Sequence, residues 1–435
     1  MISVLWVAIV WTPVLYFYVW REESRELKRL YLALALSLMA AYAIADGDVS
    51  SITANPVVAE RVLRGLLSGS ALLLAAGPLS RNLAAVARLR SPNLIALAFY
   101  VSVAVLSTLY SVAIPATAGK AFQLGVGFVC TLALATRSNP RAVLKRALEM
   151  VVLLGGALVI GAVIGFFVLP SVFQFPESRP GILIRQTMGA PYSHPNGLSV
   201  YGATLAGFAL ARALKQPKGG RLLWIAAAVG GTLGTLFASG RQGLAVLVVS
   251  VALVILALRP WTFLLVFLPG AIAVAIAFGE SILGAASRGQ STEMLMSLSG
   301  RTVWWASAVN AWLEQPLTGF GFGVGGRFVA LERIGEGHVS SVHSGILEVL
   351  LGVGIIGLIP LLYVLFRVLR FTLEAFRIET EYIVVVVEIG VTTIISLGIG
   401  GADLTLFYLI AALADRWLER PRSARRSPAL MGKPA

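Results

Sequence analysis

Three histidines and a set of arginines are the side chains in this sequence best suited to chemistry. His343 stands in SVHSGILEVLLGVGIIGL, where polar sequence gives way to a long apolar run. A neutral imidazole is the ordinary proton acceptor for activating a hydroxyl near pH 7. At such a boundary it would meet a substrate approaching along a membrane. A histidine that only caps the following helix is the rival reading. His338, five residues earlier, is a weaker candidate. His194 precedes Pro195 and Asn196 at another apolar boundary, and there helix entry, with the 193–196 region capping, is the favoured role. Three histidines are too few for a His-rich cluster, and neither H-x-x-x-H nor H-E-x-x-H occurs. The one cysteine, Cys130, lies in an apolar run and reads as a small buried hydrophobe. No metal site and no cofactor is expected.

The elements that must position these groups are membrane spans. Hydrophobic residues make up 57% of the 435 and charged residues only 13%, about half the charged share of a soluble domain. Apolar runs of about 17 to 25 residues, enough to cross a bilayer as a helix, recur from end to end. The weak alternation of a β-barrel is absent. Spans are expected near 3–20, 29–46, 63–80, 93–113, 118–136, 146–168, 196–214, 222–239, 242–258, 260–279, 344–366, 382–398 and 403–417. The fold class is therefore an all-α integral membrane protein, a polytopic bundle of 12–13 transmembrane helices. It is read as one membrane domain over 1–435, with a large, partly helical loop at 280–343 and a basic tail at 418–435.

Charge sets the orientation. The net charge is +14, and its clusters (Arg81, Arg88 and Arg90; Arg137, Arg141, Lys145 and Arg146; Arg212, Lys215, Lys218 and Arg221; Arg367, Arg370 and Arg377; the tail) all fit on one side. The positive-inside rule makes that side cytoplasmic, the C-terminus with it. The excess thus needs no nucleic acid, and no basic, aromatic-interleaved soluble segment is present. The direction of the first span stays open, because Arg21, Arg25, Lys28 and Arg29 also favour the inside.

The connectors at 46–62, 169–195, 239–241 and 280–343 then lie outside. They carry Arg179, Arg185, Arg241, Arg288, Arg301, Arg327 and Arg333 on the side where positive residues are disfavoured. Arginine pairs with phosphate through two parallel hydrogen bonds and keeps its charge, so these positions suggest a phosphorylated lipid substrate. Snorkelling to headgroups, or pairing with loop carboxylates such as Glu293, Glu332 and Glu336, is the alternative. It weighs most for Arg288, Arg327 and Arg333, which lie in polar loop sequence. Arg241 is the sharpest case, since SGRQG joins two spans with almost no loop. The segment 301–314 reads as a helix whose Trp304, Trp305, Val309 and Trp312 favour one side. It either lies in the membrane interface or packs on the loop's own core. The following GFGFGVGG lacks the context of a nucleotide-binding loop and reads as a turn that hugs a ligand.

Four stretches together resemble the O-antigen ligase/polymerase superfamily of bacterial membrane glycosyltransferases: RQTMGAPYSHPNGLSVY (185–201), SGRQGLAVL (239–247), SGRTVWWASAVNAWLEQPLTGFGFG (299–323) and SVHSGILEVLLGVGIIGL (341–358). The resemblance covers 185 to about 360 by motif and the N-terminal spans by hydropathy alone. It implies transfer of a glycan from an undecaprenyl diphosphate carrier at the periplasmic face of the Gram-negative inner membrane, inverting and metal-independent. It implies that Arg185, Arg241 and Arg301 hold the donor diphosphate and that His343 removes the acceptor proton, with His338, Arg288 and Asn196 as weaker candidates. The acceptor would be a lipid A–core sugar hydroxyl in a ligase, or the carrier-linked glycan in a polymerase. Chain length and the 280–343 loop favour the ligase, and the short tail disfavours a protein O-oligosaccharyltransferase. From another class, a lipid or glycolipid transporter or flippase is the alternative. Glu388 and Asp403, in the late apolar stretch, are its only support.

Overall fold

The computed structural model describes residues 2–42, 59–87, 89, 91–174, 188–189, 194–216, 218–258, 301–337, 339, 341–391 and 402–419. Among them the secondary structure is helical apart from one isolated bridge, Gln174 with Met188. The principal helices are α1 (Ile2–Leu15, continued by a π-helical turn, Tyr16–Trp20), α2 (Arg25–Tyr42), α3 (Ala59–Ser80), α4 (Pro92–Leu106), α5 (Ile114–Ala135), α6 (Pro140–Val168) and α7 (Pro195–Lys215). They continue with α8 (Lys218–Ala238), α9 (Arg241–Leu258), α10 (Arg301–Glu314), α11 (Gly345–Ala375), α12 (Thr380–Val391) and α13 (Ala402–Leu418). Eight helical stretches among the described residues are long and apolar enough to cross a membrane: α3 to α9, and α11. The span expected at 260–279 lies outside the described residues, as do residues 280–300 and the basic tail beyond 419. Large apolar side chains are widely exposed, among them Leu73 (77%), Leu109 (80%) and Leu223 (79%). That pattern is costly in water and suits lipid contact.

The helix starts follow local chemistry. Ser91 and His194 each precede a proline at the first helical position, where its missing N–H costs nothing and its fixed φ is already helical. Ser344 caps α11, its hydroxyl accepting from the Leu347 N–H at 3.5 Å.

The chain divides into two compact units. One comprises Met1–Val14, Val152–Thr302 and Glu379–Val391. Its centre is α7, packed against α8, α9 and α12. Small residues allow the approach: a Cβ on Gly202 would lie 2.7 Å from the Gly231 carbonyl oxygen and 2.8 Å from the Thr235 hydroxyl. Close backbone contact of this kind replaces the hydrophobic drive that lipid removes.

The other unit comprises Leu15–Val151, Val303–Ile378 and Thr392–Ala435. Here α11 packs on α4 and α13, and α5 on α2, α3, α4 and α13. Asp415, fully buried on α13, ties three helices together. It accepts from the Ser91 hydroxyl, from the Asn93 N–H at 2.9 Å and from Arg367 Nη2 at 2.8 Å. Arg367 Nε also donates to Asn93 Oδ1 at 2.8 Å. A buried carboxylate with this many donors offsets its desolvation.

Midway, α11 breaks. Gly354 has φ 63° and ψ −163°, a conformation essentially confined to glycine. The glycine-rich turn fills the break. The Phe320 N–H donates to the Leu351 carbonyl at 2.7 Å, Gly321 N–H to Gly352 at 2.9 Å, and Ile355 N–H to Pro316 at 3.0 Å. Backbone groups released within an apolar helix must find partners in protein. The turn read from sequence as hugging a ligand thus hugs the backbone of α11.

Candidate functional site

Arg241 is the first residue of α9 and Arg301 the first of α10. The approach to Arg241 is fixed from behind. Gly240 packs on the entrance of α7, where a Cβ would lie 2.7 Å from the Ser199 Cβ and 3.2 Å from the Asn196 Cα. Ser239 holds a left-handed φ of 53°, and its hydroxyl donates to the Leu236 carbonyl at 2.8 Å. The SGRQG and HPN motifs, far apart in sequence, are therefore neighbours. Arg301 is half-buried, and that burial, with the nearby Arg241 charge, lowers its pKa. Two guanidinium groups gathered at two helix starts repel each other. This arrangement suits an anion with several oxygens.

His343 sits in the loop that enters α11, and it too holds a left-handed φ, 54°. Ser239 and His343 are the two non-glycine residues with positive φ among those described. Its half-buried ring stacks on Trp304, centroids 5.7 Å apart and planes at 29°. Its N–H donates to the Ser341 hydroxyl at 3.0 Å. Trp305, next on α10, donates its indole N–H to the Val342 carbonyl at 3.0 Å. Strained backbone held by several surrounding contacts is a mark of functional positions. The N-cap of α11 is Ser344.

The tryptophan face of α10 lies inward. Trp304 and Trp312 pack on a cluster of Ala308, Ala311, Phe320, Val329, Leu331 and Val342, so of the two readings the loop's own core accounts for them. Val309 does not share that face. It is exposed, as are Val303 (59%) and Leu313 (60%).

His194 caps α7 as expected, its Nδ1 accepting from the Asn196 N–H at 3.2 Å. Arg185, Arg288 and His338 lie outside the described residues. Arg333 is occupied by Glu314 in a two-point pair, Nη2 to Oε2 at 2.7 Å, which holds the glutamate's pKa below its ordinary range. Glu314 is itself a carboxylate of the 280–343 loop, the kind of partner expected for Arg333. Arg327, which lies in polar loop sequence, is only 9% exposed, its guanidinium over the Phe328 ring. Sequence reasoning missed Glu348, which accepts from the Val342 N–H at 2.7 Å. Its one sequence signal is an acidic residue in the first turn of a span.

A family model described as O-antigen ligase matches residues 225–362. That stretch contains SGRQG, α10, the glycine-rich turn, His343 and the first half of α11. No curated protein matches the chain significantly. Over that stretch, about a third of the 435 residues, the chain is similar to the O-antigen ligase family.

Proposed function

We propose that the protein is a lipopolysaccharide O-antigen ligase, a glycosyltransferase of the Gram-negative inner membrane with its site facing the periplasm and its C-terminus in the cytoplasm. It moves a glycan from undecaprenyl diphosphate to a sugar hydroxyl of lipid A–core. The observation that carries this reading is the gathering of Arg241 and Arg301 at two helix starts, close enough for one charge to lower the other's pKa. The 280–343 segment carries Arg301 and leads to His343.

In the reaction the acceptor oxygen attacks the anomeric carbon from the face opposite the diphosphate. The anomeric C–O bond breaks, its electron pair stays on the carrier diphosphate, and the configuration inverts. Arg241 and Arg301, with Arg185, bind that diphosphate. Charge on it grows as the bond breaks, so fixed guanidinium groups favour the transition state over the ground state. His343 takes the acceptor proton. The guanidinium groups supply the charge that a divalent metal supplies elsewhere. One Asp-x-Asp sequence, Asp46-Gly47-Asp48, does occur, outside the described residues. Metal independence is therefore tested directly, by transfer that persists in EDTA.

The deciding experiment mixes purified protein with carrier-linked glycan and lipid A–core. A shifted acceptor band marks a ligase. Longer carrier-linked chains mark a polymerase, and donor left unconsumed marks a transporter. His343→Ala is expected to bind carrier normally and to lose about 100- to 10,000-fold in transfer rate. Full transfer by that variant removes His343 from the chemistry.

A further inference from the structure

We propose that Glu348 is a positioning residue for His343, acting through the Val342 peptide groups; the role rests on the reading of His343 as the base. Val342 is fully buried, between the candidate base and the loop core. Its N–H donates to Glu348 Oε1 at 2.7 Å, and its carbonyl accepts from Trp305 Nε1 at 3.0 Å. The next N–H, that of His343, donates to the Ser341 hydroxyl at 3.0 Å. Peptide groups are planar, so these three bonds fix both planes that flank Val342. What remains free to set the imidazole is the φ of His343, held at 54°, and its side-chain torsions, held by Trp304.

The left-handed φ is what makes the tether matter. Outside glycine that conformation lies above the ordinary helical and extended regions in energy. Release of the Val342 N–H removes one of the bonds that oppose relaxation, and relaxation swings the imidazole away. Space for the carboxylate is built in from a third segment. Residue 326 is a glycine, and a Cβ there would lie 2.7 Å from both Cδ and Oε2 of Glu348. Ser344 already caps α11, so the glutamate reaches past the helix start to a peptide two residues before the cap.

The test uses the full-length protein, with kcat and donor KM measured together and the imidazole signal of His343 followed by NMR in histidine-labelled protein. Only three histidines are present, and the His343 signal is identified by its absence in H343A. Glu348→Ala is expected to lower kcat by about 10- to 100-fold, with donor KM changed less than about twofold, and to shift the His343 signal. Glu348→Gln keeps an oxygen that accepts from Val342, so it is expected to restore most of the rate and the native signal. Trp305→Phe removes the bond at the other end of Val342 and is expected to resemble Glu348→Ala. Should Glu348→Ala fail to fold, Trp305→Phe and Glu348→Gln decide. The proposal is overturned if the folded variants that lose a bond keep both rate and signal, or if Glu348→Gln is as impaired as Glu348→Ala. A transfer-competent H343A would instead overturn the base reading, and a signal that still moved in Glu348→Ala would leave the tether standing.

Discussion

Replacing Arg241 by lysine is the most direct probe of the anion site. Lysine keeps the positive charge and loses the two-point geometry. A hydrogen bond to a charged group is worth about 1.5–3 kcal/mol, so loss of one such bond at the leaving diphosphate slows transfer about 10- to 150-fold. R301K adds a second consequence. Arg301 is half-buried, and that burial and the Arg241 charge both lower its pKa. An ammonium placed there inherits both effects and starts from about 10.4. It is charged at lower pH and loses its charge as pH rises through its depressed pKa. The rate of R301K relative to wild type should therefore fall as pH rises through that lowered pKa. The double variant completes the test. If both side chains hold one diphosphate, R241K/R301K costs less than the two single losses combined, with a coupling of about 0.5–3 kcal/mol. The assay is single-turnover transfer from carrier-linked glycan at saturating acceptor. Full activity in R241K, or losses in the two variants that add without coupling, would refute the idea of a shared anion.

Three further outcomes follow from the packing. Gly354→Ala forces a side chain into φ 63° and to within 2.6 Å of the Thr318 N. About 1–3 kcal/mol of backbone strain and a similar cost of overpacking should lower the melting temperature in detergent, while Gly390→Ala, which meets nothing within 4 Å, should not. Asp415→Ala leaves Arg367 and the Asn93 N–H without their buried acceptor and should cost about 3–5 kcal/mol in the same measurement, with Asp415→Asn less damaging. Arg333→Ala removes an exposed pair and should leave transfer unchanged. Because Arg333 depresses the pKa of Glu314 below its ordinary 4.5, the small stabilisation from the pair is complete above that value and disappears as pH falls through the lowered pKa. The difference in loop proteolysis between wild type and Arg333→Ala should vanish at acid pH.

Hydropathy located the helices well and their ends less well, for reasons visible in particular side chains. The run expected at 146–168 is a helix from Pro140. Its basic first turns stay helical because Arg141 lies over Trp417, 5.1 Å from the ring, and Arg146 over Tyr31, 5.7 Å away. Likewise α11 runs past the expected end at 366 to Ala375, since Arg367 has Asp415 to pair with. The glycine-rich turn was legible as a turn but not in its partner, because what it approaches is a break in a helix 30 residues later, at Gly354. Val309 was grouped with the tryptophans by spacing, and the loop core drew Trp304 and Trp312 to the opposite side. Glu348 was illegible as anything but an acidic residue at a helix start, because its partner is a backbone group.

This division has a physical origin. In a membrane protein, polar chemistry and helix starts are forced to the same place, since a charged group at the bilayer centre is costly and a span must begin where the apolar region does. Arg241 and Arg301 open their helices, and His343 precedes one by two residues. Hydropathy therefore brings a reader close to the candidate residues for the same reason that it brings a reader to the spans. What it omits is the means of holding them still. Ser239 and His343 take left-handed backbone angles that no local preference would choose. The contacts that sustain them come from a neighbouring helix entrance in one case, and from Trp304, Trp305 and Glu348 in the other. Positions of reactive groups are set by the bilayer and can be read from one dimension. Their orientation is set by tethers between distant segments, and it is there that substitutions at residues unable to reach a substrate should alter the rate.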